Sequence, residues 1–327
     1  MRSGESMLSI PCVLDVDTGE DDALAILLAC AYKLPIAAIL TSYGNTSLDN
    51  ATANTAALLQ LAGATHVPVI RGCAAPLVPH PHPEAQAGAG DFVGANGLCD
   101  VEIPPAHDVV IHRPRHDELA ETLMRLCGPS MPPIRYVVTG PCTNLAHILR
   151  QLGAHASAVI GEIIVMASAV RTPGNSGPIN SHGQQCAEFN CYCDAKAFAE
   201  VLASGLPITV VSWDVTSSVT IAYNAVCGLT ATDAVGSFVV SLMRAFLERY
   251  GLAHAREFEF NDPLTIWVLQ GNGSFRTLTM RISTDFDDYG ATYEDNAGTS
   301  VRFLEPLSTH ETQRAVYEML RTVGVFS

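Results

Sequence analysis

Four aspartates, Asp15, Asp17, Asp21 and Asp22, fall within eight positions, between an apolar run ending at Leu14 and an apolar helical pattern beginning at Ala23. An apolar run, a glycine turn at Gly19 and a helical repeat read as strand, turn and helix, which crowds the carboxylates at the carboxyl end of the strand. In an open α/β sheet that edge is where ligands sit. Like charges this close repel one another, and carboxylate oxygens are the ligands that Ca²⁺ and Mg²⁺ prefer. A purely structural account puts Asp21 and Asp22 on the helix dipole and Asp15 or Asp17 at its cap. That account leaves one of Asp15 and Asp17 unexplained.

The rest of the chain extends the same pattern. Strands over 10–17, 36–43 and 67–71 alternate with helices over 21–32 and 48–62, and further strands are expected at 135–139, 162–167, 207–213, 276–282 and 301–303. Apolar runs without clean alternation suit a mostly parallel sheet covered by helices on both faces. The fold class is therefore α/β, a single large Rossmann-like domain over 1–327 with loops at about 73–107 and 251–261 placed to reach the site. Residues 171–187 read as a second irregular segment, and Asp262 as the N-cap of a helix with Pro263 in its first turn.

Chemistry-bearing residues recur where strands end. Gly44-Asn45 follows the second strand, Thr139-Gly140-Pro141 turns from a strand into a helix, and Glu188 and Asn190 sit two apart on one face of an extended segment. An acid and an amide so placed are the group types that bind sugar hydroxyls. Each motif alone also has a bland reading, as a turn or a solvated face.

With 18 basic against 33 acidic residues, net −15, the chain is a poor partner for nucleic acid or an anionic membrane. No secretory leader is visible in the polar residues 1–9, and the apolar stretch 23–40 is broken by Lys33 and Pro35, so a cytoplasmic protein is expected. The ten cysteines lack C-x-x-C spacing and read as reduced, buried thiols. His80 and His82, each followed by proline, read as exposed loop histidines.

The D-x-D-x-G-x-D-D-A stretch, G-N at Asn45, T-G-x-x-T-N from Thr139, A-E-F-N from Ala187 and the late D-P at Asp262 together resemble the inosine-uridine family of nucleoside hydrolases. The resemblance implies Ca²⁺ held by Asp17, Asp22, the Thr139 carbonyl and Asp262, with Asp17 also taking a proton from the attacking water. It implies that Asp21, Met166, Asn175, Glu188 and Asn190 hold the ribose and that Asn45 occupies a further pocket position. It implies Asp15 orienting the cluster, and a homodimer or homotetramer acting on a small ribonucleoside.

The chain departs from the family at four places. Thr18 stands where many relatives have proline, Ala167-Ser168 replaces a glycine pair after Met166, and the loop at Phe92 lacks a histidine. Asn261 stands where relatives often carry the histidine proposed to protonate the leaving base. An amide is a poor acid, which suggests the purine-preferring type, with Phe92, Phe258 and Phe260 stacking on the base and His254 or Arg256 donating to it. Two other classes stay open: a nucleoside-binding protein without catalysis on the same scaffold, and a Mg²⁺-dependent haloacid-dehalogenase-type phosphatase, whose D-x-D motif would leave Gly19, Asp21 and Asp22 unexplained.

Overall fold

The computed structural model describes residues 10–82, 93–128, 131–251 and 257–326. Strand β1 (Cys12–Val16) is buried along its whole length. Its side chains alternate between two cores: Cys12, Leu14 and Val16 join one hydrophobic cluster and Val13 the other. A strand covered on both faces has no polar side, which is why its sequence shows a run rather than an alternation.

Helix α1 (Glu20–Ala31), β2 (Ile36–Thr41), α2 (Leu48–Leu61) and β3 (Val69–Arg71) continue in βαβ fashion, and β4 (Ile111–His112) ends that side of the sheet. On the other side come β5 (Ile134–Val138), β6 (Ile160–Met166) and β7 (Ile208–Val211), then β8 (Phe275–Ile282), β9 (Thr292–Glu294) and β10 (Thr299–Leu304). The ten strands form one sheet in the order β9-β8-β10-β7-β6-β5-β1-β2-β3-β4. Only β8 runs against its neighbours, pairing antiparallel with β9 and β10.

The chain leaves β1 toward β2 and later returns to lay β5 on its other side. Loops diverge from β1 in opposite directions, which opens a crevice beyond its carboxyl end. The acidic stretch lies at this switch point.

The remaining long helices are α3 (Leu119–Cys127), α4 (Thr143–Leu152), α5 (Ala195–Leu202), α6 (Ala234–Gly251), α7 (Asn261–Leu269) and α8 (Thr309–Thr322). Buried residues of α1, α2, α6, α7 and α8 share one cluster, and those of α3, α4 and α5 the other. Helix α7 is buried nearly all round, with Trp267 only 1% exposed. Trp267→Ala is expected to cost about 3–5 kcal/mol, read as a lower urea midpoint. A loss below about 1 kcal/mol would mean that the indole is not a core contact.

Several local expectations are corrected. Phe260, not Asp262, is the N-cap of α7, so Asn261 and Asp262 lie inside its first turn. The stretch 171–187 holds a small hairpin, Ser176–Ile179 against Gln185–Ala187, whose few residues carry too little periodicity to read. His80 is buried rather than exposed: its ring nitrogens lie 2.8 and 2.6 Å from the His82 and Tyr192 carbonyls, and its ring sits edge-on to Tyr192 and Tyr289. Cys227 is exposed, and none of the ten cysteines is joined in a disulfide. Among the described residues no helix is long and apolar enough to cross a membrane.

Candidate active site

The site is built from β1 outward. Asp15 shares the β1 face of Val13, and its carboxylate accepts from Tyr136 Oη at 2.9 Å and from Asn144 Nδ2 at 2.8 Å. Burial outweighs those two donors and pushes its pKa up to about 7. Asp15 thus stands under the cluster, tied to β5 and α4.

Asp17 follows the strand and is fully buried. One oxygen accepts the Asn45 backbone N–H at 2.6 Å, while Oδ1 has no hydrogen-bond partner. Three glycines leave room for it. A Cβ at Gly140 would come 3.0 Å from Asp17 Oδ1, one at Gly19 would come 2.9 Å from Asn45 Nδ2, and one at Gly44, whose φ is +155°, would overlap Asp17 Oδ2. Gly44→Ala is therefore expected to displace Asp17 and lower stability by about 1–3 kcal/mol. Thermal unfolding together with turnover checks this, and an unchanged melting point with full activity would show that the loop yields freely.

Asp21 and Asp22 lie in the first turn of α1, whose N-cap is Gly19. Asp22 closes the turn on itself: Oδ2 accepts the Gly19 N–H at 3.1 Å and Oδ1 accepts Thr139 Oγ1 at 2.6 Å. Asp262 arrives from the first turn of α7. Carboxylate oxygens of Asp21, Asp22 and Asp262 lie within 4.8 Å of one another, and Asp17 interacts directly with Asp22. Asp262 Oδ2, like Asp17 Oδ1, is buried without a partner.

Burial first, then mutual repulsion, raises these acids. Asp17 and Asp262 are held well above the usual carboxylate range, and Asp21 rises to about 6. Among the described residues no cationic side chain is a hydrogen-bond or ion-pair partner of these buried carboxylates, whose free oxygens are the donor set of a hard divalent ion. The residues present fit a hard divalent ion.

Around the acids lies a polar rim. Asn190 Nδ2 donates to the Thr139 carbonyl at 2.7 Å and to the Met166 carbonyl at 3.1 Å, so the amide bridges the ends of β5 and β6. Glu188 caps the short helix Phe189–Cys193 and accepts N–H groups from Ser168, Asn190 and Cys191. Three donors fix its carboxylate in one orientation. Asn175, beside the hairpin, and Asn261 each bury an Oδ1 without a partner, and Asn261 interacts with Asp21.

Ser168 sits at φ +89°, which explains the glycine usual at that place. It is held there by Thr292 Oγ1 at 3.0 Å, by the Glu188 carboxylate, and by the Trp213 N–H on its carbonyl. Thr18 keeps its turn by bonding Thr55 Oγ1 at 2.7 Å.

The stacking residues fare differently. Phe258 and Phe260 pack edge to face at 5.5 Å inside the core, with Phe246 against Phe258, at 1% and 0% exposure. Pairing of the strand Glu257–Glu259 with Thr220–Ala222 turns Phe258 inward, and the Phe260 N–H on the Val219 carbonyl at 2.9 Å carries the chain on into the N-cap of α7 with its ring buried. They are core residues rather than a stacking platform. Phe92, His254 and Arg256 lie outside the described residues.

Sequence reasoning assigned no role to Tyr136, to Asn144 or to a second acidic layer, Glu20 and Glu259, behind Asp21. Burial raises both glutamates, Glu259 to about 7. The asparagine of T-G-x-x-T-N was visible as a motif, but its role depends on strand pairing that no local pattern shows.

The family model described as inosine-uridine preferring nucleoside hydrolase matches residues 12–321. A pyrimidine-specific ribonucleoside hydrolase of Photobacterium profundum is 34% identical over 214 residues, 64% of this chain and 62% of that protein, just under two thirds of its length. Another, from Salmonella arizonae, is 30% identical over 271 residues, 80% of each chain. Among solved structures, a purine-preferring ribonucleoside hydrolase from Gardnerella vaginalis superposes with a TM-score of 0.79 at 23% identity, covering 96% of this chain and 98% of that one. A plant nucleoside hydrolase gives 0.80 at 22% identity, covering 95% and 98%. A family match over nearly the whole length, with the same fold beneath it, makes this chain a member of the inosine-uridine preferring nucleoside hydrolase family.

Proposed function

We propose that the protein is a calcium-dependent ribonucleoside hydrolase that cleaves the bond between ribose and base. The observation that carries this reading is the buried acidic cluster with two unpartnered oxygens, Asp17 Oδ1 and Asp262 Oδ2, beside the fixed acid and amide of Glu188 and Asn190. Asp17, Asp22, Asp262 and the Thr139 carbonyl would hold the ion. When bound, it supplies Lewis acidity toward a water and neutralises the carboxylates.

The chain's own residues do the rest. Asp17 Oδ1 is free to take the proton of an attacking water, while the Asn45 N–H keeps the carboxylate from turning away. Asp21, Glu188, Asn190 and Asn175 would present acceptors and donors for ribose hydroxyls, and Met166, whose Sδ lies 3.6 Å from Asn190 Nδ2, would line the pocket beside them. A sugar lacking one hydroxyl would leave such buried groups unpaired, so ribose is favoured over deoxyribose. The carboxylates also place negative charge beside the cation-like sugar of the transition state.

Two base preferences have support. The amide of Asn261 in place of an acid favours purines, whose ring can be protonated without that histidine. The pyrimidine-specific relatives, at 30–34% identity, favour uridine and cytidine. Release of free base from inosine, guanosine, adenosine, uridine and cytidine, with calcium and with a chelator, tests all of it. Chelator-sensitive cleavage of any of them supports the hydrolase, and the larger kcat/KM between inosine and uridine decides the base. Binding without turnover would make it a nucleoside-binding protein.

A further inference from the structure

Cys73, His116 and His147 come from three separate segments and take no part in the ribonucleoside site. The Cys73 Sγ and one ring nitrogen from each histidine lie within 4.8 Å of one another. One face of α4 assembles them. Asn144 Oδ1 accepts the Cys73 N–H at 2.8 Å, His147 follows one turn later, and Gln151 one turn after that. The Gln151 side chain donates to the His116 carbonyl at 2.6 Å and accepts the Ala120 N–H at 2.9 Å, which clamps the turn His116–Glu118 onto the helix.

The donors are otherwise unused. Neither histidine ring makes a hydrogen bond among the described residues, and the two rings stand 5.6 Å apart. Burial, then the neighbouring His116, holds His147 below its ordinary value, so its ring is neutral at pH 7, the form that binds metals. The thiol is buried, whereas His116 is exposed at the edge of an open depression lined also by Pro114, Arg115 and Arg150. Both arginines are paired, Arg115 with Asp117 at 3.0 Å and Arg150 with Glu200 at 2.7 Å between Nε and Oε2, and Glu200 and Asp194 oppose the positive charge that Arg150 presents to His147.

We propose that Cys73, His116 and His147 form a second cation site, suited to a zinc-type divalent ion and not to calcium. One thiolate and two imidazoles are borderline-soft ligands, and with solvent in the fourth position they complete a tetrahedron. Ligand atoms in such a tetrahedron stand about 3.3–3.7 Å apart, a contraction that small rotations of the exposed His116 and the half-buried His147 provide. On binding, the Cys73 thiol gives its proton to solvent. Burial, then the charges of Asp15 and Asp194, pushes the Cys73 thiol up to about 12, so the ion has to displace the thiol proton.

The full chain is stripped of metal, saturated with calcium so that the acidic cluster is filled, and titrated with Zn²⁺ and with Co²⁺ as a coloured stand-in. One equivalent bound, with a near-ultraviolet cobalt–thiolate band, is expected for the unaltered protein. Cys73→Ser should lose the band. His116→Ala, a change at an exposed position that leaves the core untouched, should weaken zinc binding about tenfold or more. Absence of the band from the unaltered protein, or His116→Ala binding zinc as tightly as the unaltered chain, overturns the proposal. Neither readout depends on hydrolysis, so failure of the ribonucleoside reading would not imitate either result.

Discussion

Asp17→Asn is expected to lower kcat for ribonucleoside cleavage by about 10²–10⁴-fold, the range general-base removal produces. Asparagine keeps the shape, and its carbonyl oxygen can still accept the Asn45 N–H that Asp17 Oδ2 accepts at 2.6 Å. What it cannot do is take a proton at the position of Oδ1, the oxygen left without a partner. The same change removes one charge from a buried group of like charges, so without metal the variant should melt at a higher temperature than the unaltered protein. Lower activity with higher metal-free stability is a signature that simple misfolding cannot give. A variant that keeps more than about a tenth of the original kcat would remove Asp17 from the proton-accepting role.

The contrast between β1 and the loop around Phe258 shows what a sequence reveals. At β1 everything needed is local: a buried run, a glycine turn and a helix repeat place Asp15, Asp17, Asp21 and Asp22 within a few residues of a strand end, and backbone geometry does the rest. Asp262 was assigned by resemblance, and the structure brings it to the cluster only because α7 packs against α1. The aromatic residues show the opposite case. Phe258 is the middle of a three-residue strand and Phe260 the N-cap just after it, and no local pattern says which face meets the core. Pairing with Thr220–Ala222 settled it, a contact between segments more than thirty residues apart.

His80 failed for a similar reason. The prolines after His80 and His82 argue for extended chain, and that much is local. The burial of the His80 ring depends on Tyr192 and Tyr289, and Tyr192 alone lies 112 residues further along the chain. The donors on Asp15 were hidden in the same way, since Tyr136 and Asn144 meet it only across the β1–β5 pairing. Periodicity reveals elements and the edges where they end, whereas partners across the sheet appear only once strand order is known.

Metal removal should change both the stability and its pH dependence. In the metal-free protein Asp15 is raised to about 7 and Asp21 to about 6, chiefly by burial, from an ordinary value of 3.8 for each. The folded chain therefore keeps protons between about pH 4 and 7 that the unfolded chain has already released. Stability from these groups is greatest at the acid end of that window and falls as pH rises through it, by on the order of a few kcal/mol in all. Asp49 and Glu311 are held below the usual range by Arg71 and Ser308 and pull the other way, but they are exposed and weigh little. Calcium bound to the ionised cluster, as proposed, would reverse the trend. A hundredfold excess over Kd stabilises the native state by about 2.7 kcal/mol. Protons compete at low pH, so the calcium-induced rise in melting temperature should be larger at pH 7.5 than at pH 5. Differential scanning fluorimetry across pH, with and without a chelator, reads both trends. Metal-free stability that climbed from pH 5 to 7, or a melting temperature indifferent to calcium at pH 7.5, would mean that the acids at the end of β1 are neutralised by something other than the ion assigned to them.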